Sequence, residues 1–193
     1  MSADSASPAH GRPIFMRHWL RNPLGMGALL PSSPRVAEAV ARQLQLGRPG
    51  PILELGAGTG TITRGLIAGG CPPERLVLIE SEPALTEHLR AHYPATRAIC
   101  GDATRIDAVL SEIGVTQLAT TVSSLPIKWF SLDDQRATVM PCLKRLEPGG
   151  YFIQITNAMT SPIDAGRLRI NAQQVDAVWF HFLPVQVWRY WLD

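Results

Sequence analysis

The chain has 193 residues, enough for one compact domain with a core of its own. Its composition, 46% hydrophobic and 18% charged, excludes a disordered chain, while a net charge of +2 singles out no class of partner. Three scattered cysteines, Cys71, Cys100 and Cys142, form neither a CxxC pair nor a Cys/His cluster, which argues against a metal site and for free thiols in a reducing compartment.

The first stretch, "MSADSASPAHGRP", is small, polar and Pro-containing, so residues 1–12 read as a disordered leader rather than a signal peptide. "IFMRHWLRN" has helical spacing. Phe15 and Trp19 lie four apart, and Arg17 and Arg21 lie four apart on a neighbouring face. "PLGMGALLPSSP" is a loop, and residues 13–33 together form a segment ahead of the main domain, 34–193. Ser33 caps a helix with Pro34 at its first position, running through "RVAEAVARQLQL".

Strands and helices then alternate. "PILELG", "RLVLIE", "TRAIC", "LATTVSS" and "YFIQIT" are short apolar strands. "TITRGLIAGG", "PALTEHLRAHY", "IDAVLSEIG" and "DDQRATVMPCLKRLE" are helices, the last interrupted or started late by Pro141. Residues 157–175 are ambiguous, and "VDAVWFHFLPVQVWRYWL" is two apolar strands. No run reaches the roughly twenty apolar residues of a membrane-spanning helix. The alternation predicts an α/β fold, a mostly parallel sheet with helices on both faces.

The chemistry begins at "LELGAGTG". Glu54 precedes Gly56, Gly58 and Gly60, which flank Thr59, between a strand and a helix. Glycines let the main chain turn tightly and approach a ligand, and the helix points its N-terminus at that ligand. An acid, Glu80, ends the next strand beside Ser81, where a ribose diol would lie. Gly101, Asp102 and Ala103 follow the third strand, where an adenine amino group needs an acceptor. Dinucleotide dehydrogenases use related turns, but with GxGxxG spacing.

This set resembles the class I S-adenosylmethionine-dependent methyltransferases. The resemblance implies a Rossmann-like, seven-stranded sheet with an antiparallel last strand. It implies S-adenosylmethionine as cofactor, S-adenosylhomocysteine as product, and no metal. Glu54, Gly56, Gly58 and Gly60 would hold the methionine moiety, Glu80 the ribose and Asp102 the adenine, with Ser123 at the end of the fourth strand.

That strand leads into the corner "SSLPIKWF". Methyltransferases of nucleobase amines carry an Asn/Asp-Pro-Pro-Tyr motif there. Here the matching residues are Ser124, Leu125, Pro126 and Ile127, so the strong acceptor is a serine and the stacking ring an isoleucine. A small flexible amine fits better than a base, with Trp129 the ring left to stack if the acceptor is a base. Ser124 and a main-chain carbonyl near Ser124-Leu125 are the expected acceptors for the amine, with Leu125, Pro126 and Ile127 expected to wall off water behind it and Trp129 or Phe130 to face its later methyls.

A closer resemblance spans nearly the whole chain. "RHWLRNPLGMGALLPSS", "LELGAGTGTIT", "VSSLP" and "VWFHFLPVQVWRY" look like the bacterial phospholipid N-methyltransferases of the Rhodobacter type. These convert phosphatidylethanolamine to phosphatidylcholine. The resemblance implies a phospholipid substrate, no nucleic acid partner, a monomer, and a cytoplasmic enzyme held at the inner face of the cytoplasmic membrane. Phe15, Arg17, Trp19 and Arg21 would then form an extra amphipathic N-terminal helix on anionic lipid, though the same pattern suits a helix docked on the domain. "GALLPSS" would act as a lid, with Ser32 or Ser33 near the methionine carboxylate. The family's final hairpin reads Asn-x-Pro-Pro-Ala, whereas this chain has His181-Phe182-Leu183-Pro184-Val185. His181 is therefore either a base for the amine proton or a packed strand residue. Two other classes stay open: a methyltransferase of RNA adenine or of a soluble amine, and a cofactor-binding regulator without catalysis.

Overall fold

The computed structural model describes residues 34–180 and 183–193. The expected amphipathic helix with Phe15, Arg17, Trp19 and Arg21, the lid serines Ser32 and Ser33, and His181 lie outside the described residues.

Thirteen helices and strands follow one another in the described chain, apart from short 3-10 turns. They are α1 (Pro34–Ala41), β1 (Ile52–Leu55), α2 (Thr61–Ala68), β2 (Leu76–Glu80), α3 (Pro83–His92), β3 (Arg97–Cys100) and α4 (Ile106–Glu112). Then come β4 (Thr120–Ser123), α5 (Leu132–Leu143), β5 (Phe152–Thr156), α6 (Ala165–Leu168), β6 (Asn171–Phe180) and β7 (Leu183–Trp191). The strands form one sheet in the order β3-β2-β1-β4-β5-β7-β6. β1 to β5 pair in parallel, and β7 runs antiparallel to both β5 and β6. The expected sheet of seven strands with the last reversed is what forms.

Parallel strands need both faces covered, and β1, β2, β4 and β5 are buried at every residue. Period-two alternation splits their side chains between two cores. Ile52, Leu76, Leu78, Val122, Ile153 and Val187 pack with Val36 and Val40 of α1, Leu66 of α2 and Leu89 of α3. Leu53, Leu55, Val77, Ile79, Phe152 and Tyr190 pack with Leu110 of α4, Val139 and Leu143 of α5 and Leu168 of α6.

α1 crosses α2 at very short range. A Cβ on Gly65 would lie 2.1 Å from the Ala37 Cβ, and one on Gly69 would lie 2.5 Å from the Ala41 Cβ. Small residues four apart on both helices let the backbones meet. This crossing anchors the helix that follows the glycine turn.

Four boundaries differ from the sequence expectation. α1 stops at Ala41 rather than running to Leu46, although Leu44 and Leu46 still pack on the core. α5 begins at Leu132, with the Ser131 hydroxyl accepting the Asp134 N–H at 3.1 Å, and tolerates Pro141 inside its last turn. The "LATTVSS" strand narrows to Thr120–Ser123. The ambiguous stretch resolves into α6 and the first half of β6, an outer strand whose residues 172–174 are exposed.

Candidate active site

All five parallel strands end at one edge of the sheet, and the loops that leave this edge build the site. After β1 the chain turns through Gly56, Gly58 and Gly60, with φ of 75°, 56° and 82°. These left-handed values favour glycine. A Cβ on Gly56 would come within 2.8 Å of Leu125 Cδ2, so the glycine also lets the corner after β4 close onto the turn. On the far side the Tyr93 ring fills the space a Gly60 side chain would take, and its hydroxyl donates to the Gly60 carbonyl at 3.0 Å. Tyr93 was not singled out in the sequence, because nothing local ties it to the turn.

Glu80, at the end of β2, fixes the turn from beside it. Its Oε2 accepts the Gly58 N–H at 2.9 Å, and Oε1 accepts the Glu82 N–H at 3.0 Å. The carboxylate is almost wholly buried and sits where a ribose diol is expected. Asp102, after β3, is exposed, and its Oδ1 accepts from the amide and hydroxyl of Thr104, both at 2.8 Å. That bond caps the short 3-10 turn Ala103–Arg105 and fixes the loop beside the cleft. Gly56, Ile79, Glu80, Ser81, Gly101, Ala103 and Leu125 line one cleft, so four separate stretches of the sequence converge there. Thr59 is exposed on the turn. A larger concavity between α1 and α2, about 570 Å³, contains none of the expected cofactor residues.

Glu54 lies inside the sheet rather than at its edge. Its side chain is 1% exposed, Oε2 accepts from the Thr63 hydroxyl at 2.8 Å, and Oε1 has no hydrogen-bond partner. Burial is the main cause that pushes its carboxyl up to about 8. The Thr63 bonds oppose the rise and the Glu80 charge adds to it.

The corner after β4 is held more tightly than its sequence suggests. The Ser124 hydroxyl donates to the Gly56 carbonyl at 2.7 Å, and the Ser124 N–H to the Leu55 carbonyl at 3.1 Å. These bonds tie the corner to the glycine turn. The Leu125 carbonyl accepts from the Ile127 N–H at 2.8 Å and from Gln154 Nε2 at 2.9 Å. Both of its lone pairs are engaged, so Leu125 is not the free acceptor expected for an amine.

Two further expectations are corrected. Ser123 is fully buried and its hydroxyl accepts the Leu125 N–H at 3.3 Å, so it shapes the turn instead of facing the cleft. Ile127 is fully buried in the core beside α5, because the 3-10 turn Ile127–Trp129 carries its side chain inward. Pro126 is half-buried, while Trp129 is 60% exposed with the Lys128 ammonium 5.8 Å from its ring centre. Two buried glutamines hold the corner from below, and neither was picked out in the sequence. Gln154 binds Leu125, and Gln135 Nε2 donates to the Ile127 carbonyl at 3.3 Å while its Oε1 accepts the Asp164 N–H at 2.9 Å.

The residues fit a nucleoside with an amino acid tail. Nothing lies within 4 Å of where a Gly58 Cβ would stand, so that main chain is open to a ligand. The Glu80 carboxylate, which lines the cleft, supplies an acceptor beside it, and the turn is preceded by the buried Glu54, whose Oε1 has no partner.

No protein-family model matches the chain. It is 30% identical over 147 residues to an ornithine lipid N-methyltransferase from Singulisphaera acidiphila, a match covering 74% of this chain and 76% of that relative. Its fold is similar to that of a Burkholderia thailandensis 1,6-didemethyltoxoflavin-N1-methyltransferase solved with S-adenosylhomocysteine (TM-score 0.68, 15% identity, 100% of this chain and 94% of the other). A Bacillus cereus O-methyltransferase, also solved with S-adenosylhomocysteine, gives a TM-score of 0.65 at 14% identity, over 94% of this chain and 90% of the other. With strand order, glycine turn and buried acids in place, that 30% identity carries the assignment: the chain belongs to the family of the ornithine lipid N-methyltransferase, within the class I S-adenosylmethionine-dependent methyltransferases.

Proposed function

We propose that this enzyme methylates the headgroup amine of phosphatidylethanolamine, and then its methylated intermediates, towards phosphatidylcholine at a membrane surface. The observation that carries the reading is the corner after β4. It offers a small hydroxyl, Ser124, between apolar Leu125 and Pro126, and the residue matching a base-stacking ring, Ile127, is packed in the core. A nucleobase finds no inward platform there, whereas an alkyl amine needs none. Similarity to a lipid N-methyltransferase supports the acceptor class. The same similarity favours a second reading, in which the amine belongs to ornithine lipid.

The proposed division of labour follows the geometry. S-adenosylmethionine supplies, when bound, an electrophilic methyl on a sulfonium. Gly56, Gly58 and Gly60 would hold its amino acid end, Glu80 its ribose and Asp102 its adenine edge. The headgroup nitrogen, an ammonium at neutral pH, must first give up one proton to solvent; the Ser124 hydroxyl and the Ser124 carbonyl would accept its remaining N–H bonds and aim the freed lone pair. Leu125 and Pro126 exclude water behind it. Positioning is the chain's main contribution, since ordering two reactants removes several kcal/mol of barrier, roughly 7–11 in favourable cases. Each methyl removes one N–H donor, so later steps rely on apolar and aromatic surface, with Trp129, exposed five residues after Ser124, the ring proposed to supply it.

Thin-layer analysis of lipids from cells expressing the chain, fed a labelled methyl donor, tests the reading. Labelled derivatives of phosphatidylethanolamine are expected. Label in ornithine lipid alone selects the second reading, and label in no lipid removes both.

A further inference from the structure

Among the described residues four large hydrophobic side chains are exposed: Trp129, Met159, Trp179 and Leu192. Three of them share one edge of the sheet. Trp129 follows the end of β4, and Met159 follows the end of β5. β7 enters antiparallel to β5, with Gln186 opposite Thr156, so the end of β6 and the start of β7 project beyond the same edge. Trp179 stands there, opposite Pro184. Cross-strand partners share a face, and on that face Gln186 Nε2 reaches Met159 Sδ at 3.8 Å. The three side chains are 60%, 66% and 69% exposed, and they lie on the edge that carries Gly56, Glu80 and Ser124.

Scattered apolar residues on a surface mean little; gathered along the sheet edge that carries a site they mark an interaction surface. We propose that Trp129, Met159 and Trp179 form a rim that inserts into the interfacial layer of a lipid bilayer and seats the mouth of the active site on it. This rests on the lipid-amine reading above and adds a second contact, distinct from the basic segment ahead of residue 34. Lipid is the occupant that fits this edge. The site's acceptor is an amine that hangs from acyl chains, and two of the three rim residues are tryptophans, which favour the boundary between water and hydrocarbon. Local charge adds no net pull: Lys128 stands beside Trp129, but Asp133 and Asp134 open α5 next to it. The rim therefore needs no anionic lipid, and its grip should resist salt, unlike a contact made by arginines.

The test uses the full chain and vesicles of pure phosphatidylcholine. Sedimentation of the wild type is expected to change less than about twofold between low and high salt, since apolar insertion is not screened. The variant Trp129→Ser/Met159→Ser/Trp179→Ser should lose at least about tenfold in partition, a loss of roughly 1.4 kcal/mol, while binding S-adenosylmethionine as the wild type does. Unchanged partition of this variant overturns the rim. If it fails to fold, Trp129→Phe/Trp179→Phe serves instead: it should still sediment, yet lose the tryptophan emission that brominated lipid quenches in the wild type. Equal quenching in both overturns the proposal. So does a concentration-dependent dimer that the triple variant dissolves, because a second copy would then cover the rim. Vesicle binding through the rim with no label in any lipid leaves the rim standing and removes the substrate reading; labelled lipid from a triple variant that still sediments does the reverse.

Discussion

The side-chain amide of Gln154, on β5, donates to the main-chain carbonyl of Leu125, in the corner after β4, at 2.9 Å. The same nitrogen donates to the Ile155 carbonyl at 2.7 Å, and the side chain is fully buried. A strand next door thus sets the path of the loop that is proposed to face the substrate. Gln154→Leu keeps the volume and removes the donor. The Leu125 carbonyl keeps the Ile127 N–H, so the lost bond costs about 0.5–1.5 kcal/mol, and removal of the buried, unpartnered Gln154 Oε1 offsets part of it; the melting temperature should change little. The corner should still relax, lowering kcat at least about tenfold, the cost of roughly 1.4 kcal/mol in the barrier. Cofactor affinity should hold within about twofold of the wild type, because Glu80 and the glycine turn are untouched. Equal loss of kcat and of cofactor affinity would show that Gln154 supports the whole edge and not the corner alone.

The crossing of α1 and α2 makes a second prediction. Gly65→Ala places a methyl 2.1 Å from the Ala37 Cβ, and main-chain atoms of Ala37 stand at 3.1 and 3.3 Å, so the helices must part. Overpacking of this kind costs about 1–3 kcal/mol, and the gain in helix propensity, about 1 kcal/mol, does not cover it in full. The reciprocal change Ala37→Gly in the same chain should recover part of the loss. Thermal melts of the two single variants and the double variant measure the coupling. Simple additivity would mean that the two residues do not meet.

These two cases mark what the sequence could and could not convey. Short apolar runs between glycines were readable as strands because both faces of a parallel sheet are buried. Glu80 and Asp102 were readable because an acid at a strand end needs only local context. Gln154 and Gln135 were not, since each acts on a carbonyl that only the fold brings near. Ile127 misled for a related reason. A motif gives position along the chain, but the 3-10 turn decides which way the side chain points. The first half of β6, "NAQQ", gave no strand signal because an outer strand meets solvent and its residues need not be apolar. Gly65 and Gly69 read as a helix interior and its end, and their partners in α1 are visible only in the packing.

Glu80 carries the third prediction. Its two oxygens accept from Gly58 and Glu82, so it orders the turn as well as standing where a ribose is expected. Glu80→Gln keeps the shape but turns one oxygen into a donor that faces a main-chain N–H. A charge-assisted bond is worth about 1.5–3 kcal/mol, so S-adenosylmethionine should bind roughly tenfold to 150-fold more weakly. Titration calorimetry reads this directly. Wild-type affinity in the variant would remove Glu80 from the cofactor site.

Glu54 gives a prediction in pH. Its carboxyl has an ordinary value of 4.5, and burial first of all pushes it up to about 8 in the folded chain. Between these values the folded protein holds one proton more than the unfolded chain. Its stability without cofactor is therefore fullest below about pH 4.5 as far as this group is concerned, and falls as pH rises towards 8. The slope approaches about 1.4 kcal/mol per pH unit at most. Melting temperatures of the wild type should drop from pH 5.5 to 8.5, and Glu54→Gln, neutral throughout, should flatten that drop. Cofactor affinity should move the other way. If the ammonium of S-adenosylmethionine takes up the unpartnered Oε1, it will favour the ionised carboxylate, so wild-type binding should tighten from pH 6 to 8 and release a proton where Glu54 starts out neutral. Calorimetry in buffers of different ionisation enthalpy measures that proton. A pH-independent affinity with no proton released would place the ammonium elsewhere and leave Glu54 as a structural partner of Thr63.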